Sequence, residues 1–450
     1  MNVEILVAAI AILMYGLVIA FQTKKVWFSL GAALLIIILA TIIPDAIFPL
    51  PEDIMALEGE FHVHTYALIH SFTEVINWNV ILIYLGSMMI ASMFIYSKMP
   101  AKIADGIING SGNICFAMAA ILAMTGIISI FVENVAAVLV MAPIALAICK
   151  KLEMNPTKFL IGLAVMSNLE GTATLIGDPP SMIFANYAKF SFNDFFVHHG
   201  KMSIFFIVQA GMLAGFVFFY MCFSKLRRKK VTVETESIVS WVPFGIFVFM
   251  VVGLSLMSFF NHRTVYASGI LVLGLGIISL LWYRFFQHKS TAETMMVAGK
   301  LDWETIFFLI GVFVVVGAVK EAGLLSSLAS MLAGVTKGSV AGGFALMILI
   351  SVAVSAFVDN VPFIIAMLPV ASSMASAMET NSELYMFAVL IGSCLGGNVT
   401  PFGASANVVA TGILKQEGHP VRFSGWLKVG LPFTVVTTLV SAFLLWSVWA

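Results

Sequence analysis

Apolar side chains run almost unbroken through the chain, in stretches at about 4–21, 26–43, 79–97, 113–149, 159–177, 202–224, 240–260, 267–283, 303–319, 338–377, 384–413 and 427–449. Long runs without alternation predict helices that cross a bilayer, at roughly 20 residues each, so a chain of this length has room for about 10 to 12 of them. The short alternating strands of a transmembrane barrel are a different pattern. Two runs, 113–149 and 338–377, are too long for one span, and each holds one charge near its middle, Glu133 or Asp359. Each reads as two helices joined back to back at a polar elbow, in the manner of a re-entrant hairpin.

Charge orients the spans, because loops rich in Lys and Arg stay in the cytoplasm. That rule places Lys24-Lys25, Lys98, Lys102, Lys150, Lys151, Lys158 and the run Lys225 through Lys230 inside. The stretch 44–78 carries six acids and no Lys or Arg, so it faces outside. In the second half Arg284, Lys289 and Lys300 send 303–319 outward, its hairpin opens from outside, and Lys415, Arg422 and Lys428 return to the cytoplasm. The first run lacks a basic leader and a small-residue cleavage site and reads as a retained span.

Composition agrees: 61% of the 450 residues are hydrophobic and 10% charged, with a mean hydropathy of +1.04. A soluble domain carries about 25% charged residues. The 23 basic and 23 acidic residues balance, the one basic run is short, and nothing points to nucleic acid. The four cysteines form no CxxC pair, so they indicate neither a disulfide framework nor a zinc site, and no Walker-type phosphate loop is present, which argues against a built-in ATPase. His62, His64 and His70, with Glu58 and Glu60 nearby, and His198-His199 on the same side read foremost as interfacial loop residues, with a metal site or pH sensor as the sharper alternative.

The chain also repeats itself. Phe131-Val132-Glu133-Asn134-Val135 returns 226 positions later as Phe357-Val358-Asp359-Asn360-Val361. The same offset pairs Pro143 with Pro369, Ser167 with Ser393, Gly171 with Gly397, Thr174 with Thr400 and Gly177 with Gly403, while Trp78 pairs with Trp303 and Gly86 with Gly311 at 225. By span parity Trp78 lies outside and Trp303 inside, so the halves run in opposite directions. Inverted repeats with broken helices characterise secondary transporters, whose site lies near the midplane between the halves. The organisation expected is N-terminal spans and outside loop over 1–78, a first repeat over 79–224, a basic cytoplasmic linker over 225–239 and a second repeat over 240–450, whose part 303–449 carries the hairpin and broken helix.

Each repeat has a second polar break, Ser167 to Ser181 and Gly396 to Asn407. Glycines and prolines there unwind the helix, and the freed carbonyls with Asn, Ser and Thr oxygens can coordinate a bare cation. Ionisable groups at such depth cost about 2.5–3.5 kcal/mol on the gentler insertion scale and are functional candidates. A lone Asn or Ser more often bridges helices, and Asp178 can also serve as a helix cap before Pro179-Pro180.

Gly171-Thr172-Ala173-Thr174-Leu175-Ile176-Gly177-Asp178-Pro179-Pro180, Val358-Asp359-Asn360-Val361-Pro362, Leu395-Gly396-Gly397-Asn398 and Gly403-Ala404-Ser405-Ala406-Asn407-Val408-Val409 resemble the ion transporter superfamily. The branch resembled is that of arsenite permeases, sodium/proton antiporters and the melanosomal P-protein, related to dicarboxylate/sodium symporters. The likeness covers about 75–435. It implies a homodimer of scaffold and transport domains with elevator-type alternating access, and a site enclosed by two hairpin tips and two unwound helices. In the dicarboxylate symporters each tip carries Ser-Asn-Thr. Here the tips read Glu133-Asn134-Val135 and Asp359-Asn360-Val361, placing two negative charges where a dianion would dock. Glu170 stands where the branch has Gly, and Ser181 where it has Asn.

The expectation is an all-α polytopic protein of the inner membrane of a prokaryote, not an enzyme. It is a secondary active transporter coupled to cations or protons, by Na⁺/H⁺ antiport or proton-coupled efflux of an anion or oxyacid. The alternatives are a sodium-coupled citrate- or dicarboxylate-like symporter and the permease subunit of an ATP-driven arsenite pump. The candidate ion- or substrate-binding residues are Glu133, Asn134, Ser167, Asn168, Gly171, Thr172, Thr174, Gly177 and Asp178, with Asp359, Asn360, Gly397, Asn398, Thr400, Gly403, Ser405 and Asn407 from the second half. Asp359, Glu133 and Asp178 are the proton-carrier candidates. Na⁺ is placed at Asn134, Asn360 and the backbone near Gly171 and Gly397, with Na⁺ or H⁺ as coupling ion and no other cofactor.

Overall fold

The apolar runs become helices whose ends are set by capping side chains. The computed structural model describes residues 3–45, 47–51, 60–226, 235–259, 266–336 and 338–450. Glu58 and the basic run from Arg227 lie outside the described residues, as do the side chains of Glu60, His62 and His64. Among the described residues, ten helices are long and apolar enough to cross a membrane.

In chain order the helices are α1 (Val3–Ala20), α2 (Lys25–Ile42), α3 (Glu60–His70), α4 (Trp78–Tyr96), α5 (Met99–Gly110), α6 (Ile114–Ser129), α7 (Asn134–Lys151), α8 (Thr157–Gly171), α9 (Pro179–Tyr187) and α10 (Ile204–Cys222). The second half holds α11 (Val242–Met257), α12 (Ala267–Phe285), α13 (Thr291–Gly299), α14 (Trp303–Glu321), α15 (Leu324–Val335), α16 (Val340–Ser355), α17 (Asn360–Ala377), α18 (Ser382–Gly396), α19 (Ser405–Gln416) and α20 (Phe423–Trp449). The two overlong runs are each two helices, α6 with α7 and α16 with α17. The runs 159–177 and 384–413 are interrupted: α8 stops at Gly171 and α9 starts at Pro179, while α18 stops at Gly396 and α19 starts at Ser405.

Several starts follow from local chemistry. Asn77 opens α4 by accepting from the Val80 N–H at 3.2 Å. Asp302 opens α14 by accepting from the Thr305 N–H at 3.0 Å, so one capping device sits at both members of an offset-225 pair. Ser290 and Glu293 form a capping box at α13. Short helices α3, α5, α9, α13 and α15 and a two-residue β-hairpin, Val197–His198 with Lys201–Met202, lie outside the apolar runs.

Close packing depends on glycine at two equivalent places. α4 lies against α12 with Gly86 on the backbone of Val272 and Leu273, where an added Cβ would meet main-chain atoms at 2.5 Å. α14 lies against α2 with Gly311 on the backbone of Ser29 and Leu30, where the approach would be 2.6 Å. Main chain cannot give way as a side-chain end can, so any larger residue must separate the helices. Large apolar side chains such as Leu34, Leu213, Leu439 and Phe443 are exposed on the outer faces, as lipid-facing positions require. Gly86→Ala should destabilise the protein by about 1–3 kcal/mol, lowering the unfolding temperature of the detergent-purified protein. Gly16→Ala, where an added Cβ meets nothing within 4 Å, should leave it unchanged.

Candidate functional site

Four chain breaks meet in the interior, and every break is held by side chains that take up its main-chain polar groups. Thr174, in the irregular stretch after α8, donates its hydroxyl to the Ile130 carbonyl at the end of α6. Thr400, in the stretch after α18, donates to the Ala356 carbonyl at the end of α16 at 2.6 Å. Donors and acceptors both differ by 226 positions. Gly177 and Gly403 make this possible: an added Cβ would come within 2.5 Å of the Gly171 and Gly397 carbonyls, and within 2.9 and 3.0 Å of the Ile130 and Ala356 carbonyls. The Gly171 carbonyl accepts from the Ser181 hydroxyl at 3.2 Å, and the Gly397 carbonyl from the Asn407 amide at 2.9 Å. The Gly171 and Gly397 carbonyls, in the backbone expected to take part in holding a cation, thus each accept one side-chain hydrogen bond.

Asn168 ties the breaks together. Its amide nitrogen donates to Asn398 Oδ1 at 2.8 Å and Asn407 Oδ1 at 2.9 Å, and its oxygen accepts from Asn134 Nδ2 at 3.0 Å. Asn407 also donates to the Thr400 carbonyl at 2.8 Å, and Asn398 to the Val165 carbonyl at 3.3 Å. All four asparagines are buried. The Ser167 hydroxyl donates back along its own helix to Ala164 O at 3.0 Å, and that of Thr172 to Asn168 O at 3.4 Å, so neither bond reaches into the site. Glu170 stands apart, buried against Gln209 Nε2 of α10 at 2.5 Å.

The acids sit differently from expectation. Glu133 and Asp359 are the N-cap residues of α7 and α17, accepting from Ala136 N at 3.2 Å and Val361 N at 3.1 Å. Asp178 occupies the N-cap position of α9 yet makes no capping bond. Its carboxylate instead takes a hydrogen bond from Asn360, and its Oδ2 has no partner. Tips and break therefore converge: Glu133, Asn134, Asp178, Asp359, Asn360 and Ser405 line one polar cavity of about 20 Å³ with Tyr84, Asp302 and Thr305. That is room for one water or a small ion. Ser129 Oγ and Asn134 Oδ1 are also buried without partners. Ser129 Oγ and the Asp178 side chain both lie beside Gly171, 3.6 and 3.1 Å from where its Cβ would be.

Two larger cavities, each of about 410 Å³, are present, and the first shares Asp302, Thr305, Asp359 and Ser405 with this centre. One is lined by Lys25, Asp302, Glu304, Asp359 and Ser405, the other by Glu74, Trp78, Tyr187, Lys320 and Pro369. The charge rule makes Lys25 a cytoplasmic loop charge and nothing more. Its Nζ instead lies 3.3 Å from Asp359 Oδ2, with 15% of its side chain exposed, and 5.0 Å from the Phe308 ring centre. Nearby, Tyr15 of α1 donates to the Pro362 carbonyl at 3.1 Å, and Tyr84 donates to Asp302 Oδ2 at 3.2 Å. Ser129 and Asp302 carry a readable signal: Ser129 pairs with Ser355 at 226, and Asp302 with Asn77 at 225. Lys25 and Tyr15 carry none, since distance along the chain hides their approach to the second half.

Because Asn168 satisfies three other asparagines' groups at once, Asn168→Leu should cost about 1–3 kcal/mol for each buried amide group it orphans. The unfolding temperature should fall well below that of Ser167→Ala, whose hydroxyl serves only its own helix. Equal effects would dissolve the distinction.

Comparison with known proteins matches the chain to a family. Residues 5–392 match the family model of CitMHS, described as citrate transporter. An uncharacterized transporter of Mycobacterium tuberculosis is 29% identical over 388 residues, covering 82% of this chain and 86% of that protein. The P protein of Sus scrofa is 24% identical over 403 residues, covering 70% of this chain and 46% of that protein. Among solved structures, the Alcanivorax borkumensis YdaH transporter superposes with a TM-score of 0.59 at 14% identity, covering 93% of this chain and 97% of that one, which shows a shared fold. With ten membrane-length apolar helices, the protein is an integral inner-membrane transporter, and the chain belongs to the CitMHS citrate transporter family.

Proposed function

We propose that the protein is a secondary active transporter coupled to cations or protons, working by elevator-type alternating access. Its two halves act as inverted repeats, with α6–α7 and α16–α17 as re-entrant hairpins. The observation that carries this reading is the convergence of Glu133, Asp178 and Asp359, from three separate elements, on one ion-sized cavity that shares Asp302 and Asp359 with a larger one. Carboxylates brought together in a low-dielectric interior repel and need a cation or a proton between them. Asp178 Oδ2, Ser129 Oγ and Asn134 Oδ1 supply the unpartnered oxygens such a cation takes. Hard monovalent ions prefer oxygen donors of this kind, and a proton on Asp178 would serve the same electrostatic end. Asp359 is engaged by Lys25 of α2, a contact between the first spans and the second hairpin tip. In alternating access that contact opens and closes as the tip moves.

A second reading draws on the family's description. A sodium-coupled symporter of citrate-like carboxylates would fit the larger cavities. A bare tricarboxylate would face Glu133, Asp178, Asp302 and Asp359, with Lys25 as the cation in contact with Asp359. Such a substrate would therefore enter in company with cations or protons that neutralise it.

Reconstitution separates the readings. In liposomes loaded with a pH-sensitive dye and an acid lumen, Na⁺ or Li⁺ added outside should alkalinise the lumen. Choline should not, and Asp359→Asn should abolish the response while keeping the wild-type unfolding temperature within a few degrees. A flat wild-type trace together with Na⁺-dependent uptake of labelled citrate would replace antiport by the symport reading. Ser129→Ala removes one proposed ligand, so it should raise the Na⁺ concentration giving half-maximal response by about tenfold, as loss of about 1.4 kcal/mol implies. An unchanged Na⁺ requirement would remove Ser129 from the cation shell.

A further inference from the structure

Away from the central cavity, the loop between α9 and α10 and the start of α18 bring three metal-ligating side chains together. His198, His199 and Glu383 each offer a ligand atom, and all three atoms lie within 4.8 Å of one another. His198 Nε2 is 3.8 Å from Glu383 Oε1, too far for a hydrogen bond and close to the separation of two ligands on one ion. At metal–ligand lengths of about 2.0–2.1 Å, tetrahedral ligands stand about 3.3 Å apart. His199 is the most exposed of the three.

The surroundings prepare His198 for this role. Its Nδ1 lies 2.8 Å from Asp194 Oδ1. A carboxylate only accepts, so Nδ1 carries the hydrogen, and Nε2 is the ring nitrogen near Glu383. A carboxylate behind the non-ligating nitrogen is the usual support of a metal-bound histidine. Asp194 is itself held, its Oδ2 accepting from Ser191 N at 2.8 Å and from the Ser191 hydroxyl at 2.5 Å. The imidazole packs against the ring of Phe190, centroids 4.1 Å apart, and has the ring of Trp449 6.2 Å away. Glu383 is steadied by Ser382, whose hydroxyl donates to Oε2 at 3.2 Å, leaving Oε1 toward the histidines. His199 sits at the tip of the β-hairpin, where it and Gly200 have φ of +50° and +73°. Left-handed conformations at both central residues define the tight type I′ turn, which places His199 immediately beside the ligand on the strand.

We propose that His198, His199 and Glu383 form a site for a divalent transition ion of the zinc class, with Asp194 as the residue that orients His198 and water in the fourth position. Two imidazoles and one carboxylate suit such an ion better than they suit Ca²⁺ or Mg²⁺, which take oxygen ligands. The ion would join the loop after α9 to the first turn of α18, and α18 carries the second helix break. By the positive-inside assignment this is the outer face, so the ion would come from outside the cytoplasm. The site stands independently of how the central cavity couples transport.

Full-length protein without a histidine tag, stripped with EDTA, would be titrated with ZnCl₂ by calorimetry and thermal unfolding. CoCl₂ would serve as an absorption probe of coordination. One equivalent of Zn²⁺ should bind and raise the unfolding temperature, and Co²⁺ should give the visible bands of a four-coordinate N/O site. His199→Ala and Glu383→Gln should each lose both responses while unfolding, in the absence of metal, near the wild-type temperature. Asp194→Asn should weaken binding by about 10–100-fold, as loss of an orienting carboxylate does. His198→Ala is a poorer test because its ring packs against that of Phe190. No zinc binding by wild type overturns the proposal, as does an equivalent that persists in both His199→Ala and Glu383→Gln, because the ion would then lie on other residues such as His70 and its neighbours.

Discussion

A helix broken inside a bilayer leaves carbonyls and N–H groups with no water to satisfy them, and each one left alone costs several kcal/mol. This constraint organises the interior. The breaks after α6, α8, α16 and α18 are stable together and would be costly apart, because each supplies what another lacks. The carbonyls ending α6 and α16 take the hydroxyls of Thr174 and Thr400. The breaks after α8 and α18 are closed by Ser181 and Asn407, which reach back to Gly171 and Gly397. Glycine appears at 177 and 403 because carbonyl oxygens occupy the space a Cβ would need. Asn168 then couples one half to the other.

What can be read from the chain follows the same physics. Apolar length is decided locally, so the spans and the two elbows at Glu133 and Asp359 are legible in the amino-acid pattern alone. The breaks are legible because Gly and Pro interrupt helices wherever they fall. Roles that depend on which element lies opposite are not. Asp178, before two prolines, has the local look of a cap, yet it turns to Asn360, while Glu133 and Asp359 do the capping. A cap requires only that the backbone N–H be nearer than any stronger partner, and that is a tertiary fact. Lys25 follows the charge rule for loops and still reaches Asp359 across 334 positions. His199 gains its place from a two-residue turn that no apolar pattern announces.

The two halves share their scaffold contacts but differ in chemistry. Position 178 is Asp, while its partner at the same offset is Ala404. Ser129 has no hydrogen-bond partner, whereas Ser355 donates to the Ser393 carbonyl at 2.6 Å. Asn134 meets Asn168, but Asn360 meets Asp178. The unpartnered oxygens of Ser129, Asn134 and Asp178 therefore belong to the first half, and the lysine contact lies on the second. A repeated frame with unequal contents gives one ion-sized cavity two different walls, one rich in acceptors and one already carrying a positive charge.

That inequality bears on what can cross. An acid buried with others is unfavourable as an anion, and its neutralisation by a proton or a metal ion is favoured in proportion to how many like charges it faces. Glu133, Asp178, Asp302 and Asp359 line the central cavity, and Lys25 balances one of them. The remaining negative charge makes the empty site the costly state and a cation-filled or protonated site the more stable one. Coupling then needs no added device. If, as proposed, the site reorients only when its charge is neutralised, each transit carries its neutralising ion with it. The same electrostatics hold whether the ion travels alone against protons or beside a carboxylate, because in both cases the acids of the two tips set the charge that has to be met.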